Sequence, residues 1–172
     1  YVGLSNETPW GLSEFIKAAE MHDLPKVVSV QNAYNLLNRI YESGMSEFHH
    51  RSQVGLLAYS PLAQGYLTGK YLDGARPAGA RTTLFERGQR YETEQAEEII
   101  RKYVNLANEY SMDPALMANS FVNDQDFVTS NIIGATTMEQ LKIAVGSIDT
   151  KLDEECLKKI EEIHYGCPNP CP

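Results

Sequence analysis

Short apolar runs alternate along the chain with longer stretches in which apolar positions recur every three or four residues. The runs are Tyr1 to Leu4, Val27 to Val30, Val54 to Ala58 and Asn131 to Gly134. They are rich in Val, Ile, Leu and Tyr and alternate little with polar residues, the pattern of parallel strands covered on both faces. The longer stretches predict helices with recognisable starts. Thr8-Pro9 places a cap before a proline at the first helical position, ahead of Leu12, Phe15, Ile16 and Ala19 on one face. Ala96, Ile99, Ile100, Tyr103, Val104 and Ala107 form a longer stripe, and Asp113-Pro114 opens a helix carrying Leu116, Met117 and Phe121. Thr137 with Gln140 reads as a capping box before Leu141 and Val145. Asp153 opens the last helix, with Cys156, Leu157, Ile160 and Ile163 inward and Gly166 as its stop.

Strand, helix, strand, helix is the order of parallel βα units, so the fold class is α/β. Four such units with a C-terminal helix amount to half of a (β/α)8 TIM barrel. The length of 172 residues suits a single domain over 1–172. Within it, residues 60–92 form a long insertion rich in Gly, Pro, Arg and Thr, and residues 166–172 form a tail. A loop of that length inside a compact domain is functional or disordered. The tail reads as frayed. Tyr1 opens directly into a strand pattern, so the chain is expected to begin inside a longer gene product.

Composition narrows the partners. Hydrophobic residues make up 42% and charged residues 22%, as in ordinary globular domains. No apolar run is long enough to span a membrane. Acidic residues outnumber basic ones 23 to 15 for a net charge of -8, which disfavours nucleic acid while leaving room for one local Lys and Arg pocket. The three cysteines, Cys156, Cys167 and Cys171, are odd in number, so a reducing compartment and a cytoplasmic location are expected. Cys167 and Cys171 lack a second ligand pair, so no metal site is expected.

In a βα barrel chemistry collects at the C-terminal ends of the strands. The runs end in Ser5-Asn6, Gln31-Asn32, Tyr59-Ser60-Pro61-Leu62 and Gly134-Ala135-Thr136-Thr137. Ser5, Asn6 and Gln31 can bind a planar amide. Tyr59 offers a flat face for a ring. Gly65 lets backbone approach a phosphate, Lys70 adds a point charge, and Arg81 can fork onto a phosphate or stack on a base. The helix opened by Thr137 presents free N–H groups to an anion. Singly, each has a plainer reading: a turn and cap at Ser5-Asn6, a surface Gln31, a core Tyr59, solvated charges at Lys70 and Arg81. His22 reads as a helix end, His49 and His50 as a solvated pair, and His164 as a complement to a helix C-terminus. Together, at successive strand ends, the first group suits a nicotinamide dinucleotide.

Four strings sharpen this. They are Tyr1-Val-Gly-Leu-Ser-Asn6, Val30-Gln-Asn-Ala-Tyr-Asn-Leu-Leu-Asn-Arg39, Ala58-Tyr-Ser-Pro-Leu-Ala-Gln-Gly-Tyr-Leu-Thr-Gly-Lys-Tyr71 and Ile132-Ile-Gly-Ala-Thr-Thr-Met-Glu-Gln-Leu141. In order and spacing they resemble the aldo-keto reductase superfamily, in particular Tas-type bacterial reductases and the related potassium-channel beta subunits. The resemblance covers nearly the whole chain as the C-terminal half of such a barrel.

The resemblance implies an NADP(H) site. Ser5, Asn6 and Gln31 would hold the nicotinamide carboxamide, and Tyr59 would stack under its ring. Ser60, Leu62, Gly65 and Lys70 would line the pyrophosphate, and Arg81 would serve the adenosine end. Gly134, Thr136 and Gln140 would close on the 2′-phosphate and ribose. Two positions depart from the family: Ala144 stands where an Asn usually contacts adenine, and Asn123 where an Arg is frequent. The family's Tyr acid, its Lys, Asp and His come from the first four βα units, upstream of Tyr1, and Tyr34, Tyr66 and Tyr91 do not replace them. The implied activity is reduction of a small carbonyl substrate by hydride transfer, with this chain alone inactive. The alternatives are a non-catalytic NADP(H)-binding, redox-sensing module and an inactive truncated product. A half barrel also leaves open strand edges, so self-association is expected.

Overall fold

The computed structural model describes residues 1–85 and 89–172. Four strands, β1 (Val2–Ser5), β2 (Val27–Ala33), β3 (Gly55–Tyr59) and β4 (Val128–Ile132), form one sheet in the order β1-β2-β3-β4, every pair parallel. Seven helices accompany them among the described residues: α1 (Pro9–Met21), α2 (Met45–Ser52), α3 (Arg81–Phe85), α4 (Glu94–Glu109), α5 (Pro114–Asn123), α6 (Met138–Gly146) and α7 (Glu154–Gly166). The first three strands lie within a few residues of their apolar runs. The fourth lies upstream of its run: Val128, not Asn131, is the residue that pairs with Leu56.

The helix starts follow from their caps. Thr8, Thr93, Asp113, Thr137 and Asp153 each accept from a backbone N–H in the first turn of α1, α4, α5, α6 and α7. At α6 the capping box is half made. Thr137 accepts from Gln140 N, whereas the Gln140 side chain turns to Thr136 rather than back to Thr137. Helix α2 has no side-chain cap, and its polar run Ser46-Glu47-Phe48-His49-His50-Arg51 hides it from a periodicity reading. His50 is exposed while His49 is half-buried, so the two do not form a solvated pair.

The core lies on the helix side of β2 and β3. Tyr34 stacks on Phe121 at 6.0 Å and meets Phe127 edge-on at 5.2 Å, and Tyr41 stacks on Phe127 at 5.5 Å. Such pairs contribute roughly 0.5–1.5 kcal/mol each beyond their buried area. Leu12, Val30, Leu56, Ala58, Ile100, Tyr103 and Ile160 complete the cluster. The sheet's other face is open: Ser5, Gln31, Ser130 and Ile132, which alternate with Leu4 and Val30 or pair beside Leu57 and Tyr59, are exposed. The expectation of strands covered on both faces is therefore corrected. Helices cover one face, and no second layer lies over the other among the described residues.

The insertion at 60–92 has its own small core. Tyr66 packs on Tyr71 at 4.6 Å and on Tyr91 at 5.3 Å, and the Tyr66 hydroxyl donates to Glu92 at 2.5 Å. Residues 86–88 of that insertion lie outside the described residues. The tail is not frayed: Cys171 is only 1% exposed and its N–H donates to the Leu37 carbonyl at 3.1 Å.

Candidate functional site

The first three strand tips meet at one rim. Ser5 and Gln31 are register partners, and the Asn6 N–H, just past β1, donates to the Gln31 carbonyl at 2.9 Å. The Tyr59 hydroxyl, from the end of β3, donates to Asn6 Oδ1 at 2.8 Å. Asn6 adopts a positive φ of 52°, which suits Asn better than most residues and turns its amide over the sheet. Its oxygen is thereby occupied, and its Nδ2 reaches Ser5 Oγ only at 3.4 Å. Asn6 thus fixes Tyr59, leaving the Gln31 amide and the Ser5 hydroxyl exposed on the same rim. Ile132 pairs with Tyr59, so β4 delivers Gly134 two residues beyond the same tips.

Beyond β3 the backbone turns sharply. Ser60, Ala63, Gln64 and Gly65 have positive φ values of 56°, 48°, 58° and 98°. Three of these are non-glycine residues in the left-handed region, a conformation held only where surrounding bonds insist on it. The Ser60 carbonyl accepts from Ala63 N at 2.8 Å and from Asn35 Nδ2 at 3.0 Å. Leu62 is half-buried at the head of this turn, and its carbonyl accepts from Gly65 N at 2.8 Å. Lys70 curls back over Gly65: a Cβ there would sit 2.9 Å from the Lys70 Cε and Nζ. The ammonium also lies 5.2 Å from the Tyr71 ring centroid. Glycine backbone under a cation is a shape that accepts an anion.

The remaining positions are looser. Arg81 begins α3 and is exposed, next to Thr82, whose N–H donates to the Tyr71 hydroxyl at 3.3 Å. Gly134, Thr136 and Gln140 are exposed, and Gln140 Oε1 accepts from Thr136 N at 2.8 Å and Thr136 Oγ1 at 3.1 Å. Among the described residues no hydrogen bond joins Arg81 to this second group. The structure unites Ser5, Asn6, Gln31, Tyr59 and Ser60, pairs Gly65 with Lys70, and ties Thr136 to Gln140.

The departing positions point elsewhere. Ala144 and Asn123 line a cavity of about 380 Å³ beside β4, with Asn131 and Ser130. Asn123 donates to Ser147 Oγ at 2.8 Å and accepts from Asn131 Nδ2 at 2.9 Å. Tyr66 is pushed up to about 12 by burial, then by its Glu92 bond, and Tyr34 is raised by burial and by Glu42. Among the described residues no cluster of three His, Cys, Asp or Glu groups is arranged for a metal, and no helix is long and apolar enough to cross a membrane.

The model of the Aldo/keto reductase family matches residues 1–164. The chain belongs to the aldo/keto reductase family. Protein tas of Escherichia coli (strain K12) is 48% identical over 172 residues, 100% of this chain and 50% of that protein. An aldo-keto reductase of Babesia bovis is 38% identical over 176 residues, 98% of this chain and 62% of its own length. The L-glyceraldehyde 3-phosphate reductase of Escherichia coli (strain K12) is 33% identical over 157 residues, 87% of this chain and 44% of its own length. The chain spans about half the length of the curated relatives it matches. As an aldo/keto reductase its four parallel strands are part of a (β/α)8 barrel.

Two further groups of residues matter to the rim although their chemistry does not announce it. Asn35 is fully buried and holds the Ser60 carbonyl. Arg39 is 8% exposed and grips Glu42 with two nitrogens, at 2.7 and 2.9 Å, and Glu161 with a third at 2.7 Å. The string Asn35-Leu-Leu-Asn-Arg39 was the available signal, since two Asn and an Arg flanking a Leu pair promise buried polar bonds.

Proposed function

We propose that this chain is the NADP(H)-binding half of an aldo-keto reductase that reduces a small carbonyl compound to an alcohol. The observation that carries the reading is the bond between Tyr59 and Asn6 beside Ser5 and Gln31. It fixes a flat ring next to free amide and hydroxyl groups at one rim. The residues present fit a dinucleotide. Gln31 and Ser5 supply a donor and acceptors for a carboxamide, Tyr59 a stacking face, and Gly65 under Lys70 a seat that a side chain would fill. When bound, the dihydronicotinamide supplies the hydride, and the protein's part is orientation and electrostatics. Ser5 and Gln31 orient the amide, Tyr59 sets the ring face, and Lys70 balances phosphate charge. Arg81, Gly134, Thr136 and Gln140 serve the adenosine end. The proton for the carbonyl oxygen comes from a group outside these 172 residues, and the chain alone is inactive.

Calorimetric titration of the chain with NADPH and with NADH tests this. Saturable NADPH binding that Tyr59→Ala weakens about tenfold, or roughly 1.4 kcal/mol, is the expected result. Absence of binding overturns the cofactor assignment. Rapid aldehyde reduction by the chain alone overturns the placement of the acid. The reading also includes a reducing, cytoplasmic setting, in keeping with three free cysteines. Taken alone, the chain self-associates through the open edges of β1 and β4. Light scattering of a concentrated sample is expected to give more than the 19.3 kDa of one chain.

A further inference from the structure

The C-terminal tail is bonded to the rim through an unbroken series of contacts. After α7 the backbone doubles back, and Asn169, with φ of 50°, aims its Oδ1 at the Arg39 N–H, which donates at 2.6 Å. Two residues on, the Cys171 N–H donates to the Leu37 carbonyl at 3.1 Å. The Leu37 N–H in turn donates to Asn35 Oδ1 at 2.9 Å, and Asn35 Nδ2 donates to the Ser60 carbonyl at 3.0 Å. Asn35 and Asn38 also exchange both backbone bonds at 3.0 Å, which makes 35–38 a closed turn. The Tyr34 N–H donates to the Tyr59 carbonyl at 3.3 Å.

Three features set this series apart from ordinary packing. Asn35 is fully buried, and both of its side-chain ends are committed, one toward the tail and one toward the rim. Its rim partner, Ser60, holds a left-handed backbone that a serine adopts only under constraint. The turn is gripped from α7 as well, through Glu161 on Arg39. A tail that only capped the core would need Cys171 and nothing that led on to Ser60.

We propose that Asn169 and Asn35 are positioning residues: the tail, acting through Arg39, Leu37 and Asn35, sets the Ser60 turn and so aims the Tyr59 ring at the rim. This rests on the reading of Tyr59 as the nicotinamide platform.

The test uses the 172-residue chain with a fluorine label on its tyrosines, the Tyr59 signal being assigned by Tyr59→Phe. Three proteins are compared with the parent: Asn169→Gly, which deletes the side chain and keeps the positive φ; Asn35→Asp, which keeps the acceptor for Leu37 N and removes the donor to Ser60; and Asp153→Ala, which uncaps α7 and leaves the series intact. The first two are expected to move the Tyr59 signal. They are also expected to weaken NADPH about tenfold while leaving adenosine 2′,5′-bisphosphate, which lacks the nicotinamide, unchanged. Asp153→Ala is expected to lower the melting temperature with neither effect. An unmoved Tyr59 signal in both Asn variants overturns the proposal, as does equal weakening of both ligands. If the parent binds neither ligand, the cofactor reading fails on its own, and the Tyr59 signal still decides whether the tail sets the rim.

Discussion

The middle of the sheet and its two flanks are built from equally apolar residues and have opposite fates. Around β2 and β3, Tyr34, Tyr103 and Phe121 are at most 2% exposed. On α1, which follows β1, Trp10 is 74% and Met21 76% exposed; on α6, which follows β4, Met138 is 67% and Val145 54% exposed. The residue types and spacings do not differ enough to explain this. What differs is the number of layers. Helix α1 packs on β2, α2 on β3 and α5 on β4, with α4 behind α5 and α7 behind α4, whereas nothing further lies outside α1 and α6 among the described residues and β1 and β4 keep open edges. Burial is a property of the neighbour as much as of the residue, and the same stripe becomes core or surface according to what lies against it.

That contrast breaks most sharply in a pair of substitutions. Phe121→Ala is expected to cost about 3–5 kcal/mol in urea unfolding, because it empties the junction between Tyr34 and the guanidinium of Arg39. Trp10→Ser, although it removes a larger side chain, is expected to stay within about 0.5 kcal/mol. A loss above about 2 kcal/mol at Trp10 would show that the flank is covered in solution.

Arg39→Met is the next largest. It leaves Glu42 and Glu161 without their partner, and a wholly buried broken pair costs about 3–5 kcal/mol. These carboxylates retain 30% and 36% side-chain exposure, so water offsets part of the loss and about 2–3 kcal/mol is expected by chemical denaturation. Caps sharpen the comparison further. Asp153→Ala on the packed α7 is expected to cost about 1 kcal/mol, and Thr137→Ala on the exposed α6 about half that, because α6 frays at little expense elsewhere. Paired melting curves read the difference.

The smallest effects are electrostatic. Burial pushes the Cys171 thiol from its ordinary 9.0 up to about 11. Its folded value is raised, so its contribution is intact below pH 9.0 and is lost as pH rises toward about 11. His164 is held below its ordinary 6.5, first by burial and then by Arg39. Its contribution is intact above pH 6.5 and fades as pH falls through the folded value. Stability measured against pH is expected to sag at both ends, with alkylation reaching the half-buried Cys167 before Cys171. Equal rates at the two thiols would contradict a packed tail.

Much of this was readable from residues. A cap at Thr8, Asp113 or Asp153 is a local event, settled within one turn, and each appears where its sequence put it. The strand ends Ser5, Gln31 and Tyr59 were readable because each closes an apolar run. Strand β4 was misplaced because Val128-Thr-Ser-Asn-Ile132 reads as polar: Thr129 and Ser130 are exposed, and Thr129 leans over Gly55. Helix α2 was hidden because only Met45 is fully buried on it. The tail looked frayed because Pro168 and Pro170 read as loop, and nothing local shows that Leu37 waits more than a hundred residues away.

The order of elements, their caps and the polar residues at the strand tips belong to the sequence itself, since backbone propensity and hydrophobic period act over a few neighbours. Tertiary structure decided which apolar stripes became core. It also decided that Asn6 holds Tyr59, and that a tail of seven residues, 166–172, bonds back to Arg39 and Leu37. Those outcomes depend on groups distant in the chain arriving at hydrogen-bonding distance, and no local pattern encodes such a meeting.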